Sequence, residues 1–141
     1  MEDLGNFIVC VDSNHLCSLK DLFLSFFASI PNDWYRKNEL AGYEGFYASI
    51  IYCYFQASGL KVIAEDVTNH GRIDLTLLID DRAFIFEFKV IESSKIPALK
   101  QIRTKKYYEK YLREYEDIFL IGLEFSKVKR NIVNFVTEKI H

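Results

Sequence analysis

Helical spacing comes first along the chain. Over LCSLKDLFLSFFASIP (16–31) the apolar residues Leu19, Leu22, Phe23, Phe26, Phe27 and Ile30 recur at intervals of three and four, which predicts a helix. Ser18 is the expected N-cap, since its hydroxyl can accept a free amide of the first turn, and Pro31 is the expected stop. This helix is apolar around much of its girth, so it is expected to pack against something, a partner domain outside the chain included. Residues 1–15 show no usable pattern. ELAGYEGFYASIIYCYFQASG (39–59) predicts a long second helix that stops at Gly59. Its core-facing stripe is read as Phe46, Ile50 and Tyr54 together with Tyr47 and Ile51.

The period then shortens to that of strands. LKVIAEDVT (60–68) predicts one, the Asn69-His70-Gly71 turn follows, and IDLTLLI and AFIFEFKV predict two more joined through Asp80-Asp81. Pro97 suits the first turn of a helix and opens one over PALKQIRTKKYYEKYLRE. DIFLIGLEF (117–125) has the continuous apolar character of a buried strand, and NIVNFVTEKI (131–140) alternates as a last one. After the first apolar helix the predicted order is helix, three strands, helix, strand, strand, an α/β arrangement around a mixed sheet.

Composition narrows the class. The chain has 141 residues, half of them hydrophobic and 16% aromatic, which suits a folded domain with a full core. Its net charge of −2 does not suggest a globally basic nucleic-acid binder. The distribution changes that picture. Between Lys89 and Arg113 the basic residues Lys89, Lys95, Lys100, Arg103, Lys105, Lys106, Lys110 and Arg113 face only Glu92 and Glu109. Such a run is either a solvated helix face or a local anion-binding surface. Cys10, Cys17 and Cys53 are odd in number and form no CxxC motif, so neither a disulfide framework nor a zinc site with His15 is expected. A reducing cytoplasm is the default location. The longest apolar run, residues 22–30, is too short to span a bilayer, so no membrane association is expected.

Three charges stand inside the apolar hairpin GRIDLTLLIDDRAFIFEFKV (71–90), where burial penalises them. Alternation puts Glu87 and Lys89 on one face of their strand, about 7 Å apart, with Phe84, Phe86, Phe88 and Val90 on the other. With a two-residue loop, Ile79 faces Arg82, and counting back along both strands sets Asp74 opposite Glu87. Facing carboxylates repel unless a cation lies between them, and oxygen ligands of this kind suit Mg²⁺ or Mn²⁺. Pairing of Asp74 with Arg72 or Lys89 in an ordinary surface network is the other reading, and spacing alone leaves both open. Glu44, an acid early in an apolar helix, is equally readable as a favourable charge at the helix N-terminus.

The motif Ile73-Asp74, twelve residues, then Glu87-Phe88-Lys89 resembles the signature of the PD-(D/E)XK nuclease superfamily. The resemblance is closest to the nuclease-like C-terminal domain of bacterial proteins that begin with an AAA-type ATPase domain. That branch shows GRxD…EFK, an AL-x-QI-x-x-K-x-Y helix and an LIGxxF strand. Here stand GRID, EFK, Ala98-Leu99-Lys100-Gln101-Ile102 with Lys105 and Tyr107, and Leu120-Ile121-Gly122-Leu123-Glu124-Phe125. FFASIP (26–31) is similar to the segment preceding the domain, so the likeness covers roughly residues 26–137. Ile73 stands where the superfamily name has proline, and no P-loop occurs.

The resemblance implies a restriction-endonuclease-like core over 39–141, preceded by an N-terminal extension over 1–38. It implies Asp74, Glu87 and the backbone carbonyl of Phe88 as ligands of Mg²⁺ or Mn²⁺, with Glu44 binding directly or through water. Lys89 would orient the attacking water, and Gln101 would belong to the catalytic set. Lys100, Arg103, Lys105, Lys106 and Tyr108 would face the nucleic acid, with DNA the expected substrate. An AAA-type ATPase domain absent from this chain is the implied partner. The rival expectation is a nuclease-like module without catalysis, which binds nucleic acid or regulates an ATPase.

Overall fold

The computed structural model describes residues 16–36, 42–92 and 96–140. Cys10, His15, the predicted start of the second helix at 39–41 and Lys95 lie outside them, as do the side chains of Cys17 and Ser18. Helix α1 (Leu16–Ala28) and a short α2 (Asn32–Arg36) precede α3 (Glu44–Ala57). Strands β1 (Lys61–Thr68), β2 (Gly71–Ile79) and β3 (Arg82–Val90) follow, then α4 (Ala98–Lys105), a 3-10 turn (Tyr107–Tyr111), β4 (Asp117–Ser126) and β5 (Asn131–Lys139). The strands form one mixed sheet in the order β1-β2-β3-β4-β5, antiparallel throughout except for the parallel pair β3–β4. A parallel pair needs a crossover, and α4 supplies it.

Helices cover both sheet faces, which explains the near-continuous burial of β3. Phe84, Phe86, Phe88 and Val90 join Leu75, Leu77 and the helices α1 and α3 in one core, while Ala83 and Ile85 join Ile102, Tyr107 and Tyr111 in a second core beneath α4. Each fully buried Phe, Leu or Ile contributes about 1.5–3 kcal/mol from removal of apolar surface from water.

Several expectations change. Ser18 lies inside α1 and is not its N-cap. One stripe of α1 is used within this chain: Leu19, Phe23 and Phe27 are fully or almost fully buried, and Phe27 meets Tyr47 and Phe125 edge-on at 5.4 and 5.5 Å, whereas Phe26 stays exposed. In α3 the buried stripe is Tyr47, Ile51 and Phe55, with Phe46, Ile50 and Tyr54 flanking it half-buried. The sheet selected the register because Tyr47 stacks on Phe125 at 4.1 Å. Gly59 ends this helix as expected, at φ 80°.

The predicted helix over 97–114 is cut short. It stops at Lys105, Lys106 turns left-handed at φ 53°, and the 3-10 turn follows. Two tyrosines account for the break, because both must reach the second core. Tyr107 packs over Gly71, where a Cβ would lie 3.4 Å from its ring. The Tyr111 hydroxyl donates to buried Asp66, which also accepts from Thr76 Oγ1 at 2.9 Å and from the Lys110 ammonium. A buried carboxylate with three donors is well compensated, so this cluster ties β1, β2 and the turn together.

Candidate active site

The site begins with the β2–β3 hairpin. Its loop has two residues, and Asp80 takes the positive φ (53°) such a turn requires, a conformation aspartate tolerates. The ladder runs from Ile79↔Arg82 to Leu75↔Phe86 and ends there. Asp74 and Glu87 are therefore the first pair beyond it, in the register the hairpin predicts. Alternation also breaks at this point: Leu75, Leu77 and Ile79 belong to the core under α3, but Ile73 belongs to the core under α4. Glu65, in the β1 position opposite Asp74, adopts φ 50°. The sheet is wrung at Asp74, and its carboxylate takes over from the ladder by accepting the Phe88 N–H at 2.9 Å.

Asp74 is half-buried and Glu87 is 1% exposed. Glu87 Oε1 accepts from the Gln101 side-chain amide at 2.5 Å and lies 3.7 Å from the Lys89 ammonium. Glu87 Oε2 is buried with no N–H or hydroxyl donor, and it can hydrogen-bond to Asp74 only while one of the two carboxyls is protonated. Burial and the neighbouring Asp74 carboxylate push the Glu87 carboxyl up to about 9. Burial also raises Asp74, against the opposing hydrogen bond from Phe88. Glu44, the first residue of α3, is raised by burial and by the charge of Asp74 and lowered by Lys89, so it lies within the field of the same cluster. Arg72 does not neutralise Asp74; its ion pair is with Glu65, at 3.8 Å and exposed. Among the described residues no group of three His, Cys, Asp or Glu has ligating geometry, so the close pair is Asp74 and Glu87. Two carboxyls in reach of each other, one with an orphaned buried oxygen, need either a shared proton or a cation. The donor set is all oxygen, which fits Mg²⁺ or Mn²⁺.

The remaining predicted residues divide. The Phe88 ring is buried in the core beneath α1 and α3, and its amide serves Asp74. Lys100, Lys105 and Lys106 are exposed on α4 and at its end. Arg103 is taken by Glu138, with nitrogens 2.9 and 2.8 Å from Oε2. Tyr108 follows the break at Lys106 and packs half-buried against the second core. The tyrosine beside the site is Tyr107, whose hydroxyl is bonded to Gln101 and feels the charges of Glu87 and Asp74. It holds the tyrosine position of the K-x-Y pattern, the signal that singles it out over Tyr108. No helix among the described residues is long and apolar enough to cross a membrane.

The family model of the PD-(D/E)XK nuclease superfamily matches residues 42–135, from just before α3 into β5. An uncharacterized protein in the vnfD 5′ region of Azotobacter chroococcum mcd 1 is 46% identical over 141 residues, covering 99% of this chain. The chain spans only 27% of that relative's length.

Proposed function

Because this chain belongs to the PD-(D/E)XK nuclease superfamily, we propose that it is a metal-dependent nuclease that hydrolyses phosphodiester bonds in DNA. The observation that carries the reading is the buried Glu87 carboxylate, one oxygen held by Gln101 and the other facing the Asp74 carboxyl, where only a shared proton or a cation can satisfy it. A structural acid would have both oxygens satisfied, as Asp66 has, with Thr76 and Tyr111 on Oδ2 and Lys110 on Oδ1.

Asp74, Glu87 and the Phe88 carbonyl would hold Mg²⁺ or Mn²⁺, with Glu44 supporting. When bound, the cation supplies positive charge to the scissile phosphate and makes a water more acidic. Lys89, largely buried on the same strand face as Glu87, orients the attacking water and offsets negative charge as it grows on the phosphate. Gln101 fixes the rotation of the Glu87 carboxylate through Oε1. Lys100, Lys105 and Lys106 bind backbone phosphates, as does Arg103 once Glu138 releases it, with Tyr108 at their edge. These contacts position DNA without reading its sequence. An AAA-type ATPase domain, attached or separate, is proposed as the partner.

Incubation with plasmid and single-stranded DNA in Mg²⁺ or Mn²⁺ tests the proposal. Cleavage is expected for the wild type and lost in Glu87→Ala and Lys89→Ala. A wild type no faster than either variant overturns it. Salt-sensitive DNA binding that persists in chelator without cleavage would make the chain a non-catalytic binding module.

A further inference from the structure

The residue that brings Gln101 to Glu87 is not on the helix that carries it. In the parallel β3–β4 ladder, Glu87 pairs with Gly122. A Cβ on Gly122 would lie 2.6 Å from the Leu99 backbone nitrogen and 3.1 Å from both its Cα and Cβ. Real Cβ atoms do not approach backbone this closely, so α4 could not keep its seat over any other residue at this position. The φ of Gly122 is not left-handed, so the glycine is needed for close approach and not for its backbone angles. Two residues beyond Gly122 on the same strand, Glu124 Oε2 accepts the Ala98 N–H at 3.0 Å. Ala98 opens α4, which has no side-chain cap of its own at Pro97. Its N-terminus is thus held by a carboxylate on β4, a favourable charge for that end of a helix. Leu99, which rests on Gly122, precedes Gln101 by two positions, so a shift of α4 displaces the Gln101 amide from Glu87 Oε1.

We propose that Gly122 is a positioning residue for Glu87: its missing side chain lets α4 dock on β4, pinned by Glu124, so that Gln101 holds one oxygen of Glu87 and leaves the other for a divalent cation. The metal part rests on the nuclease reading above, whereas the docking part stands on the apo geometry. Side chains that orient a metal ligand typically change affinity by about 10–100-fold when removed, and Gly122 acts one step further back through such a group.

The test uses the full chain with Gly122→Ala, Gln101→Ala and the double variant. The Gln101 side-chain amide is followed by ¹⁵N NMR without metal, and Mn²⁺ affinity is measured by calorimetry. Gly122→Ala is expected to move the Gln101 amide resonances toward solvent-exposed values and to weaken Mn²⁺ binding about tenfold. The double variant should bind no more weakly than Gln101→Ala, because both changes remove the same contact. A merely structural role for Gly122 would leave the Gln101 resonances in place or give additive losses, and either result overturns the proposal. Should Gly122→Ala not fold, Glu124→Ala releases the helix start without adding volume and must shift the same resonances; unmoved resonances there overturn the proposal equally. A wild type that binds no Mn²⁺ overturns the metal half of the proposal and the nuclease reading together, and the Gln101 resonances still decide the docking.

Discussion

Replacing Glu87 with glutamine should make the metal-free protein more resistant to alkaline pH. The glutamine keeps the shape of the side chain but removes its ionisation from a site that is 1% exposed and faces Asp74. The Glu87 carboxyl is raised from 4.5 to about 9 in the folded chain. A group raised on folding contributes its full stabilisation below its unfolded value and loses it as pH climbs through the folded one. Between those limits the native state holds one proton more than the unfolded state, so stability falls by about 1.4 kcal/mol per pH unit. From pH 6 to pH 8 that amounts to about 2–3 kcal/mol, or roughly 5–10 °C in Tm for a domain of this size. Glu87→Gln abolishes this component, so its Tm should drop less over the same interval. The assay is thermal unfolding by circular dichroism in chelator at both pH values, comparing wild type and variant. Mn²⁺ should reverse the trend by stabilising the wild type more at pH 8 than at pH 6, because fewer protons compete with the cation for the carboxylates at the higher pH. Parallel pH dependences for wild type and Glu87→Gln in chelator would refute the reasoning, because they would mean that the carboxyl ionises freely in the fold.

Phe23→Ala should destabilise the protein by about 3–5 kcal/mol in denaturant titration, since the ring is fully buried between Tyr54 and Phe55. An effect below about 1 kcal/mol would show that α1 is not part of this core. Tyr111→Phe removes one donor from buried Asp66 and should lower stability by about 1–3 kcal/mol; Mn²⁺ affinity at Asp74 and Glu87, measured by calorimetry, should stay unchanged. Replacing both Lys105 and Lys106 with alanine should weaken DNA binding in a salt titration and flatten its salt dependence by roughly two phosphate contacts. An unchanged slope would remove α4 from the DNA-facing surface.

Much of the fold was legible because its signals are local. Period-2 alternation in AFIFEFKV separated Glu87 and Lys89 from the phenylalanines, and the Asp80-Asp81 loop set the register that brings Asp74 level with Glu87. The extent of α4 was not legible, since nothing in KQIRTKKYYEK breaks helical periodicity. Lys106 turns left-handed there because Tyr107 and Tyr111 find burial and hydrogen bonds elsewhere. The same holds for α3, where Tyr47, Ile51 and Phe55 and their flanking neighbours are equally apolar, and only the sheet beneath decides which face is buried.

The sequence by itself determined the order of the strands and long helices, the hairpin register given a two-residue loop, and the identity of the charges at its open end, since each follows from spacing between near neighbours. Tertiary structure alone decided what those charges experience. Gln101 reaches Glu87 because a glycine on a distant strand admits the helix, Arg72 turns to Glu65, and Glu87 Oε2 is buried with no N–H or hydroxyl donor. Burial and long-range contact set the protonation and partners of an ionisable group, and neither is a property of its neighbours in the chain.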